Sequence, residues 1–359
     1  MDIEAVENAL WQWCPPESEV SLAKLNAQLE LELDGLHCCV KLSLGMPCKS
    51  LHNVYVQQIT DLLLTLGVSS VQVEINTDIC PHENQNKLPA LDQVSNVIAV
   101  SSGKGGVGKS TTAVNLALAL QHEGARVGVL DADVFGPSLP LMLGLKSGQR
   151  PEVIDQRWMV PFEAHGLQVM SMGFLVDENT PVVWRGPKAS GALQQLLTQT
   201  RWQKLDYLIV DMPPGTGDIQ LTLAQKVPVA GSVVVTTPQD IALLDAVKGV
   251  EMFRKVGISV LGIVENMSIH ICSQCGHTSA LFGEGGGTRI AGQYDVPLLG
   301  QLPLSLPVRE QGDLGVPIVA AQPHSREAKI YFEVARRMAA TLAAQPKAAR
   351  GFPAIRTEH

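Results

Sequence analysis

Val97-Ile-Ala-Val-Ser-Ser-Gly-Lys-Gly-Gly-Val-Gly-Lys-Ser-Thr-Thr112 decides how the rest of the chain is read. An unbroken apolar run enters a glycine-rich loop, and Ala113, Leu116, Ala117 and Leu120 then follow at helical spacing. Gly103, Gly108, Lys109 and Ser110 fill G-x-x-x-x-G-K-[ST], a spacing that wraps backbone N–H groups round a triphosphate. It sets an ammonium on the outer phosphates and a hydroxyl on Mg²⁺. The candidate nucleotide-binding loop is therefore Gly103, Lys104, Gly105, Gly106, Val107, Gly108, Lys109, Ser110 and Thr111. Lys104 adds a second cation that one bound nucleotide hardly needs.

Outward from this loop, strands alternate with helices, which predicts an α/β fold with a mostly parallel sheet covered on both faces. The strands are read in Val127–Leu130, Leu208–Val210, Ser232–Val235, Val260–Val264 and Leu298–Leu299. A last helix presents Tyr331, Val334, Ala335, Met338 and Leu342 on one face; that face is not rich in Lys, Arg or large aromatics, so the stripe is read as core, not a membrane anchor. Upstream, Ile3, Val6, Leu10 and Trp13 predict a helix ended by Pro15-Pro16. Alternating leucines on either side of Asp34-Gly35 predict a hairpin, Leu51 to Leu66 a helix capped by Gly67, and Val71, Val73 and Ile75 a strand. The expected organisation is a small α+β domain over 1–77, a linker over 78–95, a P-loop ATPase domain over 96–345 and a loose tail over 346–359.

The 359 residues suffice for two domains, and 45% hydrophobic with 17% charged residues is globular. Met1-Asp2-Ile3-Glu4 is acidic where a signal peptide would be basic, and no apolar run nears the roughly 18 residues of a membrane helix. A cytoplasmic protein is expected. Net charge is −8 and no Lys/Arg run exceeds Arg336-Arg337, which argues against nucleic acid or an anionic membrane as partner. Seven cysteines, irregularly spaced apart from Cys272 and Cys275, argue against a disulfide framework.

Strand ends carry the remaining chemistry. Asp131 and Asp133 close the second strand of the P-loop domain, one suited to the Mg²⁺ shell and the other to lining up a water. Asp211 follows four apolar residues as in a Walker B strand, and the Gly215 N–H in Pro213-Pro-Gly-Thr-Gly-Asp218 is expected to face a γ-phosphate. No arginine finger is apparent, so hydrolysis is expected to be slow. Cys272 and Cys275 leave three readings open: a soft metal centre shared between two subunits, a structural zinc completed by His270 and His277, or thiol chemistry. Cys14, Cys38, Cys39 and Cys80 are read as inert, and Cys48, at a helix start that could lower its pKa, as a structural thiol.

These motifs carry a resemblance. Gly103-Lys104 through Ser110 looks like the deviant Walker A of the SIMIBI class of P-loop proteins, which includes the MinD and ParA ATPases. Adding Asp131-Ala-Asp-Val-Phe-Gly-Pro-Ser138, Trp184-Arg-Gly-Pro187, Asp211 to Asp218, Thr237-Pro-Gln-Asp240, Glu265-Asn-Met-Ser268 and Cys272-Ser-Gln-Cys-Gly276, residues 96–345 closely resemble the Mrp/ApbC iron–sulfur cluster carriers. The first 75 or so residues look like a MIP18-type domain, although only Cys48 matches that family's motif.

The resemblance implies a homodimeric ATPase that takes a [4Fe–4S] cluster, or a [2Fe–2S] one, from upstream assembly factors and passes it to apoproteins. It assigns Lys104 to the partner subunit's nucleotide, Lys109 and Ser110 to phosphate and Mg²⁺, and Asp133 to the attacking water. Asp211 goes to the Mg²⁺ shell, Asn266 to adenine, and Cys272 with Cys275 to the cluster. The rival expectations are a MinD/ParA-like positioning ATPase and an ATPase with a zinc at the cysteine pair.

Overall fold

The computed structural model describes residues 3–348, apart from 17, 19, 86–87, 135, 147, 176–185 and 273. Trp184 and Arg185 of the family motif, and 349–359 of the expected tail, lie outside the described residues.

The first unit is α1 (Ile3–Gln12), β1 (Gln28–Asp34), β2 (His37–Leu44), α2 (His52–Thr65) and β3 (Ser70–Thr77). Its sheet has the order β1-β2-β3, with the first pair antiparallel about Asp34-Gly35 and the second parallel. Gly67 ends α2 at φ +92°, the left-handed cap for which glycine has no Cβ penalty.

The second unit opens with β4 (Val94–Ser101), α3 (Lys109–His122), β5 (Val127–Asp131) and α4 (Leu139–Met142). A small hairpin of β6 (Val153–Ile154) and β7 (Trp158–Met159) precedes β8 (Phe162–Ala164) and β9 (Leu167–Ser171). Then come α5 (Gly186–Gln199), β10 (Leu205–Asp211), α6 (Asp218–Lys226), β11 (Gly231–Thr236), α7 (Asp240–Lys255) and β12 (Val260–Glu265). The chain continues through β13 (His270–Ile271), β14 (Thr278–Ser279), α8 (Gly286–Tyr294), β15 (Leu298–Gln301), α9 (Leu306–Asp313), α10 (Ile318–Ala321) and α11 (Arg326–Ala343).

The main sheet has eight strands in the order β15-β12-β11-β4-β10-β5-β9-β8, parallel except for the β8–β9 edge. The edge pair was not legible because β8 and β9 are too short to carry a period. One apolar cluster fills each face of this sheet, and the cluster on the α3 face continues without a break into the first unit. Tyr331, Val334, Ala335, Met338 and Leu342 of α11 are all buried there, as core packing requires.

Helix α3 explains the continuity. Its Ala113-Val-Asn-Leu-Ala-Leu-Ala-Leu120 run is apolar apart from Asn115, and each of these residues is buried. Just beyond its end, Glu123 accepts from the N–H and hydroxyl of Ser50 (2.9 and 2.7 Å) and from Arg336 (2.5 Å). An ion pair with both side chains in the interior thus joins the first unit, α3 and α11. Described residues of segment 78–95 are pinned to the second unit. The Gln85 amide bonds Ala224 O, Val227 O and Val229 N, and His82 bonds the Asn96 side chain. The tail begins pinned as well, since Glu83 N–H donates to Pro346 O and Ala348 N–H to Pro81 O.

Candidate functional site

The glycine-rich loop lies between β4 and α3 at the carboxyl edge of the sheet. Gly106 and Gly108 both sit at φ +82°, a conformation that costs other residues strain. Two glycines are also demanded by packing. A Cβ on Gly108 would fall 2.1 Å from Asn266 Nδ2, and one on Gly103 2.1 Å from the Asp245 carbonyl oxygen.

The backbone N–H groups from Gly105 to Thr111 have no backbone acceptor among the described residues. With the positive end of α3 behind them, what they lack is an anion, and a phosphate chain fits that donor set. Lys109 is buried and donates to Asp211 Oδ1 at 2.5 Å, while Ser110 Oγ donates to Asp211 Oδ2 at 2.6 Å. Asp133 Oδ2 stands 4.0 Å from the Lys109 ammonium. Lys109, Ser110, Asp211 and Asp133 therefore meet at one point. Burial pushes the Asp211 carboxyl above its ordinary pKa, with Lys109 pulling the other way.

Asp131 occupies a different position from the one expected. It is fully buried, and its carboxylate accepts from the N–H groups of Asp133 and Leu139 and from Ser171 Oγ, each at 3.1 Å. It thereby holds the backbone at Asp133 and Leu139, and the Lys109 charge acts on it as well. Burial first, and then the Asp211 charge, push its pKa up. The Gly215 N–H, expected to face a γ-phosphate, donates to Ser102 O at 2.9 Å and ties the two loops together. Asn266 reaches the phosphate loop itself, donating to Val107 O at 2.8 Å and accepting from Met267 N–H. Lys104 is half-buried, with no ion pair to any described residue, and its carbonyl takes the Ser102 hydroxyl.

From Asn266 the chain runs directly to the cysteine pair. Strands β13 and β14 form a hairpin in which Cys272 N–H donates to His277 O and Gly276 N–H to Cys272 O, both at 2.9 Å. Gly276, at φ +72°, closes the turn. Cys275 is exposed and Cys272 half-buried, so both thiols reach the surface. N–H groups of Cys275 and Gln274, with the Cys275 thiol, lower the Cys272 pKa. Among the described residues no group of three or more His, Cys, Asp and Glu side chains converges. His270 and His277 are thus not gathered with the pair into a four-ligand zinc site.

Cys48 is fully buried beside Glu123, and burial pushes its thiol up to about 12. Desolvation outweighs the helix start. The residues that pattern reading missed are Ser102 and Ser171, which hold the loops in place; a lone serine at a strand end has no sequence signature.

The chain matches the family described as NUBPL iron-transfer P-loop NTPase, within the ParA group, over residues 93–339. It is 66% identical over 269 residues to an iron–sulfur cluster carrier protein of Pseudomonas fragi, covering 75% of this chain and 94% of that one. A carrier of the same name from Haemophilus influenzae is 48% identical over 338 residues, covering 94% and 91% of the two chains. Among solved structures, a nucleotide-binding protein of Archaeoglobus fulgidus in complex with ADP superposes with a TM-score of 0.56 at 38% identity, covering 62% of this chain and 88% of that one. With its deviant P-loop, its paired-cysteine hairpin and this similarity over most of its length, the chain belongs to the Mrp/NUBPL family of iron-transfer P-loop NTPases.

Proposed function

We propose that this protein is an ATP-dependent iron–sulfur cluster carrier. Two copies hold one labile cluster, [4Fe–4S] in preference to [2Fe–2S], between Cys272 and Cys275 of each subunit. The cluster arrives from upstream assembly factors and leaves for apoproteins in the cytoplasm. The observation that carries this reading is the hairpin itself: it presents Cys272 and Cys275 at the surface with no third ligand gathered from the described residues. A cubane cluster is normally held by four thiolates, and a two-fold axis beside the hairpin supplies the other pair.

Hydrolysis would use the groups that meet at the loop. Mg²⁺ on ATP supplies neutralisation of the developing phosphate charge. Lys109 holds the outer phosphates, Ser110 and Asp211 the Mg²⁺ shell, and Asp133 a water. Lys104, without an ion-pair partner in its own chain's described residues, reaches the nucleotide of the second copy. Asn266 gives the two sites a short connection, since it contacts Val107 and lies in the segment leading to Cys272.

Anaerobic reconstitution with iron and sulfide tests the reading. Iron and acid-labile sulfide per subunit, mass in solution, and return of activity to an apo-[4Fe–4S] enzyme are measured together. A stable cluster on a strict monomer, or zinc retained in place of iron, would overturn it.

A further inference from the structure

We infer that Ser171, at the end of β9, is a positioning residue for ATP hydrolysis, holding through Asp131 the loop that carries Asp133. The inference rests on the hydrolysis reading above and assigns a residue that no feature of the phosphate-loop pattern marks.

Ser171 is fully buried and its hydroxyl has one arrangement open to it. Its proton goes to Asp131 Oδ2 at 3.1 Å, and its oxygen accepts from Gly173 N–H at 2.9 Å. Asp131 Oδ2 also takes the Leu139 N–H, and Oδ1 takes the Asp133 N–H, both at 3.1 Å. One dry carboxylate thus gathers donors from the end of β9, from the start of α4 and from Asp133 itself. In such surroundings a missing partner is costly, and the remaining bonds must rearrange to compensate.

Asp133 and Leu139 stand at the two ends of the segment that these bonds hold. Gly136 and Pro137 at its tip are exposed, whereas Asp133 and Leu139 at its ends are buried. The end of β9 also bears on the tip directly, since a Cβ on Gly173 would lie 3.2 Å from Pro137 and from Ser171 Oγ. The Asp131 carboxylate therefore holds the backbone at Asp133, whose Oδ2 stands 4.0 Å from the Lys109 ammonium. A shift of about 1 Å in such a group is enough to cost a large part of the rate without removing any contact to substrate.

The full-length Ser171→Ala, Ser171→Thr and Asp133→Ala proteins are assayed for Mg²⁺-ATP hydrolysis and for binding of a fluorescent ATP analogue. Ser171→Ala is expected to lose about tenfold in kcat, with KM and analogue affinity within about twofold of the parent. Ser171→Thr keeps the oxygen and is expected to recover most of the loss. Parental kcat in Ser171→Ala overturns the inference, and so does an equal loss of nucleotide affinity, which would mark a merely structural role. Equal impairment of Ser171→Thr overturns it too. Asp133→Ala separates the two levels: if it hydrolyses ATP at the parental rate, the hydrolysis reading fails. If it is inactive while Ser171→Ala is parental, only the role of Ser171 fails.

Discussion

Lys109 and Asp211 form a buried ion pair, Nζ to Oδ1 at 2.5 Å, although the two residues lie at opposite ends of different elements and far apart in the chain. Ser110 takes the other oxygen of the same carboxylate, so the group that would hold the Mg²⁺ shell already gathers both side chains that meet the phosphates.

Lys109→Ala is the direct test of that arrangement. It removes the cation from a water-poor site, and a fall of about 10²–10³ in ATP turnover is expected. It also leaves the fully buried Asp211 without its partner, at a cost of about 3–5 kcal/mol in stability. Adding Asp211→Asn should return much of the lost thermal stability but none of the turnover. Parental hydrolysis by folded Lys109→Ala would show that the loop has been assigned wrongly.

The two lysines of the loop should separate in hybrid dimers. Lys104→Ala and Asp133→Ala are each expected to be slow alone. When the two proteins are mixed, one of the composite sites in a hybrid escapes both defects if Lys104 serves the opposite subunit. Partial recovery of hydrolysis over a range of mixing ratios is expected; its absence at every ratio would place Lys104 in its own subunit's site.

Replacing either thiol of the hairpin should abolish the cluster and spare the nucleotide site. Cys272→Ala and Cys275→Ala are expected to bind the ATP analogue as the parent does, because neither side chain bonds the phosphate loop. After reconstitution they should retain iron at background level, against about one cluster per dimer in the parent. Full cluster content in Cys275→Ala would sink the shared site.

Cys48 should be silent in the native protein. Its folded pKa, pushed up to about 12 by burial, lies above the unfolded value, so the thiol stays protonated throughout the neutral range. Iodoacetamide near pH 8 is expected to modify Cys14 and Cys275, which are exposed, and to reach Cys48 only after denaturation. Prompt labelling of Cys48 at that pH, read by mass spectrometry, would reopen a chemical role for the first unit.

Much of this was written along the chain. Glycine at 106 and 108 is legible because a left-handed backbone followed by a helix is a local event, and the lysine and serine follow it by fixed spacing. The runs Val127–Leu130 and Leu208–Val210 read as buried strands because both faces of a parallel sheet are covered, leaving no polar alternation. The paired cysteines and their glycine were equally local. The uses of Asp131, Gly215 and Glu123 were not.

Asp131 and Asp133 stand two residues apart on one strand end, and nothing in their order says that the first turns inward to Ser171, which sits 40 positions away. The Gly215 N–H could have met a phosphate or Ser102, and the crossing of two loops chose the latter. Glu123 ends an apolar helix as any surface acid might, yet tertiary packing sets it between Ser50 and Arg336 in the interior. By itself the sequence determined the chemistry that spacing along the backbone creates: the phosphate loop, its lysine and serine, and the thiol pair. Only the tertiary structure decided which buried carboxylate pairs with the loop lysine and which one gathers backbone N–H groups, because that choice depends on donors brought from distant strands into a place without water.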